Sequence, residues 1–324
     1  MPTPAHKIAD LLREQDDFLI SAHVNPDGDA IGSTAALGWI LQALGKRFTL
    51  YNASGLPRAF DWVQLPAPVT TELPNPLPAW SLVVDCGAKN RVGTALDAAL
   101  IPERTVNIDH HISNPEFGTL NWVDIDYPAV GAMIAEIAHA LDLELAGPLG
   151  EAVYLAVATD TGFFTYGSTK PKTLELAADL YRAGVKPGEI NPKIINQWTP
   201  QRLKLLSAVI ATLEMHLDGR MGLVVADLET QRRTGTSTED CDGLVNFVRQ
   251  LRGVRVSAIL REDEPEYWKF SLRSNGDDDI QGVAALLGGG GHKNAAGGNL
   301  RGSLEHVTRT LVDSIDQVLQ GLAE

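Results

Sequence analysis

The sequence predicts an α/β protein: a doubly wound parallel sheet followed by a smaller α/β domain. Over the first 190 residues, short apolar runs rich in β-branched residues alternate with helical patterns, as in successive βαβ units. Beyond about residue 215, the runs GRMGLVVADL, VRVSAILRED and YWKFSLRSN read as strands of a second sheet. A third observation agrees with both: histidines and aspartates gather where buried elements end, which is where open α/β sheets place their chemistry.

The elements follow in order. HKIADLLREQ is an amphipathic opening helix and DFLISAH the first strand; IGSTAALGWILQAL then reads as a helix. The proline-rich run from Leu56 to Trp80 is an irregular connection, because proline removes backbone donors and breaks both helix and sheet. SLVV and TVNI are short, mostly apolar or β-branched, and read as buried parallel strands. EAVYLAVAT is Ala-rich and reads as a helix, as does TKPKTLELAADLYRAG, with Pro171 in its first turn and Gly184 as its C-cap. NPKIINQWTPQRLKLLSAVIATLEMHL forms a bridge whose main helix starts at Pro200. CDGLVNFVRQL and the closing LEHVTRTLVDSIDQVLQGL complete the second domain as helices. The expected division is a domain at 1–190, a helical linker at 191–215 and a second domain at 216–324, with the active site in the cleft between the two.

Four clusters carry the chemistry. SAHVNPDGDAI places His23, Asp27 and Asp29 on one strand-to-helix loop. Asp85 follows SLVV, the run Asp109-His110-His111 follows TVNI, and Asp160 ends EAVYLAVAT. A single aspartate after a strand is most often a helix cap or turn residue, and a single histidine most often a satisfied core or surface residue. His-x3-Asp-x-Asp together with Asp-His-His and two further aspartates at element ends is a different matter. Mixed imidazole and carboxylate donors suit manganese, zinc or iron better than calcium, which prefers oxygen alone. Gly28 and Gly32 either let the loop pack around the metals or make its turn. Cys86 beside Asp85 reads as a small buried strand residue.

The second specific signal is GGGGHKNAAGG, Gly288 to Gly298. Consecutive glycines let backbone N–H groups approach an anion closely, so Gly289, Gly290 and Gly291, with His292, Lys293 and Asn294, read as a binding loop. Arg273, ending a strand run, could offer phosphate a guanidinium fork, and Arg91, in KNRVG, reads either as a phosphate contact or as an ordinary surface arginine.

Composition bounds the partners. At 44% hydrophobic and 21% charged residues the chain has an ordinary globular composition, with no apolar run approaching a membrane span. Two cysteines and the absence of a secretory signal pattern at the N-terminus fit a reducing cytoplasm. The net charge is −14, and from His216 onward 12 Lys and Arg face 17 Asp and Glu. A surface that holds long duplexes is normally basic. Nucleic acid bound here should therefore be short and held by a few placed groups.

HVNPDGDAIGS, VVDCG, NIDHHISN and ATDTGFF resemble the four successive motifs of the DHH phosphoesterase superfamily, and GGGGHKNAAGG resembles the signature of the DHH-associated C-terminal domain. The match is in order and spans nearly the whole chain; length and second-domain signature most resemble the short-oligoribonucleotide nuclease/pAp phosphatase branch. The resemblance implies a manganese-dependent hydrolase with two divalent ions (magnesium or cobalt being alternatives). It would release mononucleotides from very short single-stranded RNA and remove the 3'-phosphate from adenosine 3',5'-bisphosphate (pAp). It implies that His23, Asp27 and Asp85 hold one ion and that Asp29, Asp85, His110 and Asp160 hold the other. Asp109 would orient its neighbouring histidine, and His111 would serve as general acid or phosphate-oxygen donor. By the same resemblance the second domain grips the 5'-side nucleotide. Relatives often carry a Ser/Thr-Gly-Glu run where this chain reads Ala129-Val130-Gly131-Ala132, which leaves a polar role there open.

Rival readings are another DHH hydrolase (a pyrophosphatase, a long-strand exonuclease, or a linear or cyclic dinucleotide phosphodiesterase) and a non-catalytic nucleotide-binding module. The glycine signature counts against the pyrophosphatase, and the missing extra domains and basic channel against the long-strand exonuclease. Missing membrane and sensory segments count against the cyclic-dinucleotide enzyme, and the complete ligand set against the non-catalytic module. A homodimer is compatible with the reading.

Overall fold

The computed structural model describes residues 2–196 and 198–321 and divides into two compact units at residues 197–198. Gln197, within the expected bridge, and Leu322, at the end of the closing helical run, lie outside the described residues.

In the first unit, α1 (Pro4–Glu14), capped by the Thr3 hydroxyl, leads into β1 (Phe18–Ser21) and α2 (Gly28–Ala43). β2 (Phe48–Tyr51), the two-residue β3 (Val69–Thr70) and β4 (Trp80–Val84) follow, then α3 (Thr94–Ala99), β5 (Thr105–Asp109) and β6 (Leu120–Val123). The helices α4 (Val130–Ala140), α5 (Gly147–Asp160), α6 (Pro171–Arg182) and α7 (Pro187–Ile195) close the unit. All six strands are parallel, in the order β3-β2-β1-β4-β5-β6. The chain winds outward in one direction from β1 and in the other from β4, so the carboxyl ends of these two neighbours flank the switch point, where such sheets bind ligands.

Burial explains the sequence pattern. FLIS of β1 and TVNID of β5 are buried at every residue because helices cover both faces of a parallel sheet. α2 is apolar on nearly all sides because it is enclosed: the sheet lies on one side, and α4 and α5 on the other. Each fully buried Leu or Ile in this core, such as Ile20, Leu37 or Leu82, contributes roughly 1.5–3 kcal/mol by leaving water. α6 starts at Pro171, and Gly184, at φ +97°, ends its C-terminal turn, as its sequence predicts.

The second unit comprises α8 (Pro200–Ile210), β7 (Glu214–His216), β8 (Met221–Ala226), α9 (Leu228–Thr234), α10 (Val245–Arg249), β9 (Val256–Glu264) and β10 (Tyr267–Ser274). It ends with α11 (Ile280–Leu286), β11 (Gly290–His292), β12 (Ala295–Arg301) and α12 (Leu304–Gly321). The strands form one mixed sheet in the order β11-β12-β10-β9-β8-β7, in which only β8 and β9 run parallel. β10 alternates strictly: Trp268, Phe270 and Leu272 enter a core shared with α11 and α12, while Lys269, Ser271 and Arg273 face the other way. Leu205 and Val209 of α8 pack against Val224, Leu244, Val248 and Ile259, so this helix belongs to the core of the second unit. Among the described residues, no helix is long and apolar enough to cross a membrane.

Candidate metal centre

The first cluster is built where β1 ends. Asp27 is the N-cap of α2: its Oδ1 accepts from the backbone N–H of Asp29 and of Ala30, each at 3.1 Å. Its other oxygen, Oδ2, stands 3.9 Å from His23 Nε2. The capping bonds and the approach to His23 thus fall on different oxygens of one side chain. His23 is buried and its Nδ1 lies 2.8 Å from the Val24 carbonyl. A carbonyl can only accept, so Nδ1 carries the proton and Nε2 is the lone-pair nitrogen facing Asp27 and Asp85.

Asp85 follows β4 with φ +49°, in the left-handed region that aspartate and asparagine tolerate better than other side-chain-bearing residues. The bend leaves the carboxylate buried among three imidazoles. Its Oδ2 is 3.6 Å from His23 Nε2, and its Oδ1 is 3.7 Å from His110 Nε2 and 3.6 Å from His111 Nδ1. His110 repeats the arrangement of His23, with Nδ1 at 3.2 Å from the Tyr127 carbonyl and Nε2 directed at Asp29, Asp85 and Asp160. His111 differs. Its Nδ1 is committed to Asp109 Oδ1 at 2.7 Å, and the second Asp109 oxygen accepts from Asn114 Nδ2 at 2.6 Å. The histidine oriented by Asp109 is therefore His111. Gly87 makes room for it, since a Cβ there would sit 3.0–3.4 Å from the His111 side chain.

Helix packing brings the remaining carboxylates in. Gly28 and Gly32 lie inside α2, and they serve neither the turn nor the loop as their spacing suggests. A Cβ on Gly28 would come within 2.4 Å of the Thr159 side chain, and one on Gly32 within 2.5 Å of the Ala152 carbonyl. Their lack of side chains lets α2 and α5 touch, which sets Asp29 at the start of one helix beside Asp160 at the end of the other. Gly131 of α4 meets α5 in the same way, its Cβ position 2.3 Å from Ala156 Cβ. Asp29 then caps α4: Oδ2 accepts from Val130 N–H at 2.7 Å, and Oδ1 accepts from Gly131 N–H at 3.0 Å and from Ser33 Oγ at 2.8 Å. The polar role left open at Ala129-Val130-Gly131-Ala132 is filled by backbone donors at a helix N-terminus.

The electrostatics of the cluster favour a positive charge among the carboxylates. Burial and the neighbouring carboxylates Asp29, Asp27 and Asp160 push Asp85 well above the usual carboxylate range. Burial, with Asp29 adding to it, raises Asp160 to about 8, and burial also raises Asp29 against the pull of His110 and its backbone donors. Asp109 goes the other way: burial opposes its charge, but the bonds from His111 and Asn114 hold its carboxyl below the usual range. Burial lowers His23, whereas for His110 the attraction of Asp29 and Asp160 overcomes burial and raises it. Three side-chain sets each bring possible ligand atoms within 4.8 Å of one another: His23, Asp27 and Asp85; Asp29, His110 and Asp160; and Asp85, His110 and His111. Crowded carboxylates, with Asp29 and Asp85 buried and Asp27 exposed, and imidazole nitrogens held toward them are the donor set of a divalent-cation site. The residues present fit such an ion.

The other residues singled out in sequence lie elsewhere. Arg91 is exposed in the short 3-10 helix Lys89–Val92 after β4, where its charge reaches His23 and its carbonyl accepts from Val24 N–H at 2.7 Å. In the second unit the glycine run is not an open loop. Gly290 and Gly291 belong to strand β11, which pairs with Gly297 and Ala296 of β12. A Cβ on Gly289 would sit 2.1 Å from the Gly297 carbonyl and one on Gly291 2.4 Å from the Ala295 carbonyl, so these glycines permit backbone contact within the sheet. Asn294 ties the turn together, donating to Ser274 Oγ at 2.8 Å and to the Gly276 carbonyl at 3.0 Å. Lys293 pairs with Asp277 at 3.1 Å. His292 and Arg273 both register with Ala295, on either side of β12, so they occupy one row across the sheet. Arg273 lines a pocket with Lys269, Ser271, Arg261 and Asp242. Sequence reasoning missed Ser33, Gly87 and Asn114; the first lies four residues after Asp29, a helical neighbour, and that spacing was the available signal.

A sequence profile of the DHH family N-terminal domain matches residues 17–158, and one of the DHHA1 domain matches residues 220–321. The bifunctional oligoribonuclease and PAP phosphatase NrnA of Thermus thermophilus is 33% identical over 320 residues, covering 96% of this chain and 93% of that protein. The protein of the same description from Bacillus subtilis is 26% identical over 308 residues, 92% and 93% of the two chains. Among solved structures, an exopolyphosphatase-related protein from Bacteroides fragilis superposes with a TM-score of 0.89 at 24% identity, over 99% and 98% of the two chains. RecJ from Thermus thermophilus, solved in complex with Mn2+, gives a TM-score of 0.55 at 14% identity, over 99% of this chain and 55% of its own.

Proposed function

The chain belongs to the DHH family, and from that premise we propose that it hydrolyses phosphoester bonds of very short oligoribonucleotides, releasing mononucleotides, and removes the 3'-phosphate of pAp. The observation that carries this reading is the overlap of the potential ligand sets: Asp85 shares one with His23 and Asp27 and another with His110 and His111, and His110 also belongs to a set with Asp29 and Asp160. The T. thermophilus and B. subtilis relatives, similar over nearly the full length of the chain, are each described as a bifunctional oligoribonuclease and PAP phosphatase.

His23, Asp27 and Asp85 would hold one divalent ion, and Asp29, Asp85, His110 and Asp160 a second. Manganese suits the mixed nitrogen and oxygen donors, and magnesium or cobalt could replace it. Such ions supply an acidified water and neutralise phosphoryl charge. The protein's own contribution is orientation. The Val24 and Tyr127 carbonyls fix the His23 and His110 rings so that Nε2 faces the carboxylates. Asp109 holds His111 through Nδ1, and in this reading Nε2 is the ring atom that would meet substrate. In this reading water's oxygen forms the new bond to phosphorus as the bond to the ester oxygen breaks. His111 Nε2 delivers the proton that the departing ribose oxygen requires and recovers one from the attacking water's side. Arg273 and His292, in one row of the second sheet, with Lys293 and the glycines at 289–291, would hold the far nucleotide, and Arg91 a phosphate.

The test is turnover by metal-stripped protein before and after manganese is restored, with a diribonucleotide and pAp as substrates. Mononucleotide and phosphate should appear only after restoration. Equal product in the presence of excess chelator would defeat the metal-centre reading.

A further inference from the structure

From the geometry of the loop after β5 we infer that Asn114 is a positioning residue for catalysis, acting through Asp109 to hold the His111 ring in the orientation that proton delivery requires. The inference rests on the proposed role of His111 and extends it to a residue that never touches substrate. Ile112, Ser113, Pro115 and Glu116 are exposed, and Asn114 alone among these five turns inward. Its amide makes three bonds. Nδ2 donates to Asp109 Oδ2 at 2.6 Å and to the Cys86 carbonyl at 3.2 Å, while Oδ1 accepts from the Glu116 backbone N–H at 2.8 Å.

That last bond fixes the amide's sense. A backbone N–H can only donate, so Oδ1 must face Glu116 and Nδ2 must face the carboxylate. Asp109 is thereby held by both oxygens, one to His111 Nδ1 and one to Asn114. With either bond gone, the carboxylate can rotate and the ring it orients loses its fixed direction. The bond to the Cys86 carbonyl adds a second constraint, since it anchors the same amide to the residue that follows Asp85. Asn114 thus ties the histidine's support to the strand end carrying the central carboxylate. Loss of an orienting partner one bond removed from a functional histidine typically costs about 10–100-fold.

The informative substitution is Asn114→Asp. It preserves shape and the acceptor for Glu116 N–H, but it replaces the donor facing Asp109 by a second acceptor. Four proteins are compared: wild type, Asn114→Asp, His111→Ala and the double variant, each with manganese. The substrates are a diribonucleotide and bis(p-nitrophenyl) phosphate, whose nitrophenolate departs without needing a proton. Asn114→Asp should lower kcat on the dinucleotide roughly 10–100-fold with KM little changed, and lower turnover of the nitrophenyl ester far less. In the His111→Ala background the same substitution should add less than about 3-fold, because the residue it acts through is gone. Full multiplication of the two effects, equal slowing of both esters by Asn114→Asp, or wild-type turnover of the dinucleotide would each overturn the inference. Equal slowing of both esters by His111→Ala would overturn the proton-donor reading of His111, while the double variant still decides whether Asn114 acts through that ring. An Asn114→Asp protein that failed to fold would show reduced manganese content and melting temperature, and would likewise overturn a purely positioning role.

Discussion

Replacing Asp85 by asparagine should stabilise the metal-free protein while abolishing its activity. Asparagine keeps the side-chain volume and tolerates the φ of +49° at this position, where alanine would add backbone strain. In the stripped protein, burial and the carboxylates around Asp85 hold its pKa well above the ordinary value of 3.8. The sign follows from linkage. A carboxyl raised on folding binds its proton more tightly in the folded chain, so stability is lost as pH rises from the unfolded toward the folded pKa. At pH 8, about 4 units above the unfolded pKa at about 1.4 kcal/mol each, the largest possible penalty is about 5–6 kcal/mol. Proton sharing with Asp29 and Asp160 and relaxation of the site keep the gain below that ceiling. For a unit of this size each 1 kcal/mol gained raises the first melting transition by roughly 2–4 °C. At pH 5 the bound falls to about 1.5 kcal/mol and the gain should nearly vanish. The assay is calorimetric melting of both proteins in chelator between pH 5 and 8, then with manganese, which should stabilise wild type more than the variant. A variant less stable than wild type in chelator at pH 8, or a gain independent of pH, would refute the account of a repulsive carboxylate cluster.

Other outcomes follow from the same geometry. His111→Ala should retain manganese and lose roughly 10²–10⁴-fold in turnover; loss of metal, measured by elemental analysis, would make it a ligand instead. Arg273→Ala or His292→Ala should weaken dinucleotide binding by roughly 1.5–3 kcal/mol without changing metal content, read by titration calorimetry on an inactive background. Gly289→Ala should displace β11, because its Cβ position lies 2.1 Å from a backbone carbonyl. Faster amide exchange over residues 289–298 would report this, and unchanged exchange would refute it.

The first unit is legible in sequence because its signals are local. Parallel strands buried on both faces read as short apolar runs, and each chemical residue sits shortly beyond such a run or at a helix end. What sequence does not show is contact between distant segments. Gly28 and Gly32 look like turn glycines, since nothing local reveals that α5 lies against them. Asp29 capping α4 joins residues about a hundred positions apart. Asn114 escapes notice because an asparagine in a Ser-Asn-Pro run reads as turn chemistry, and its link to Asp109 depends on how the loop folds back. The glycine run misleads in the other direction: consecutive glycines suit an anion-binding loop, but here β12 contributes its own Gly297 and Gly298, and the two runs approach each other as strands.

The most direct measurement of the central claim is kcat/KM with manganese across a series of ribo-oligomers from about two to twenty nucleotides, with pAp and pyrophosphate alongside. For a chain of net charge −14, extra phosphates should meet repulsion on balance, so length should add little favourable counterion release. The account predicts the highest efficiency on dimers to roughly pentamers, turnover of pAp, a steep fall by the twenty-mer and weak salt dependence. Equal efficiency on dimers and twenty-mers, or hydrolysis of pyrophosphate in preference to both nucleotide substrates, would contradict it.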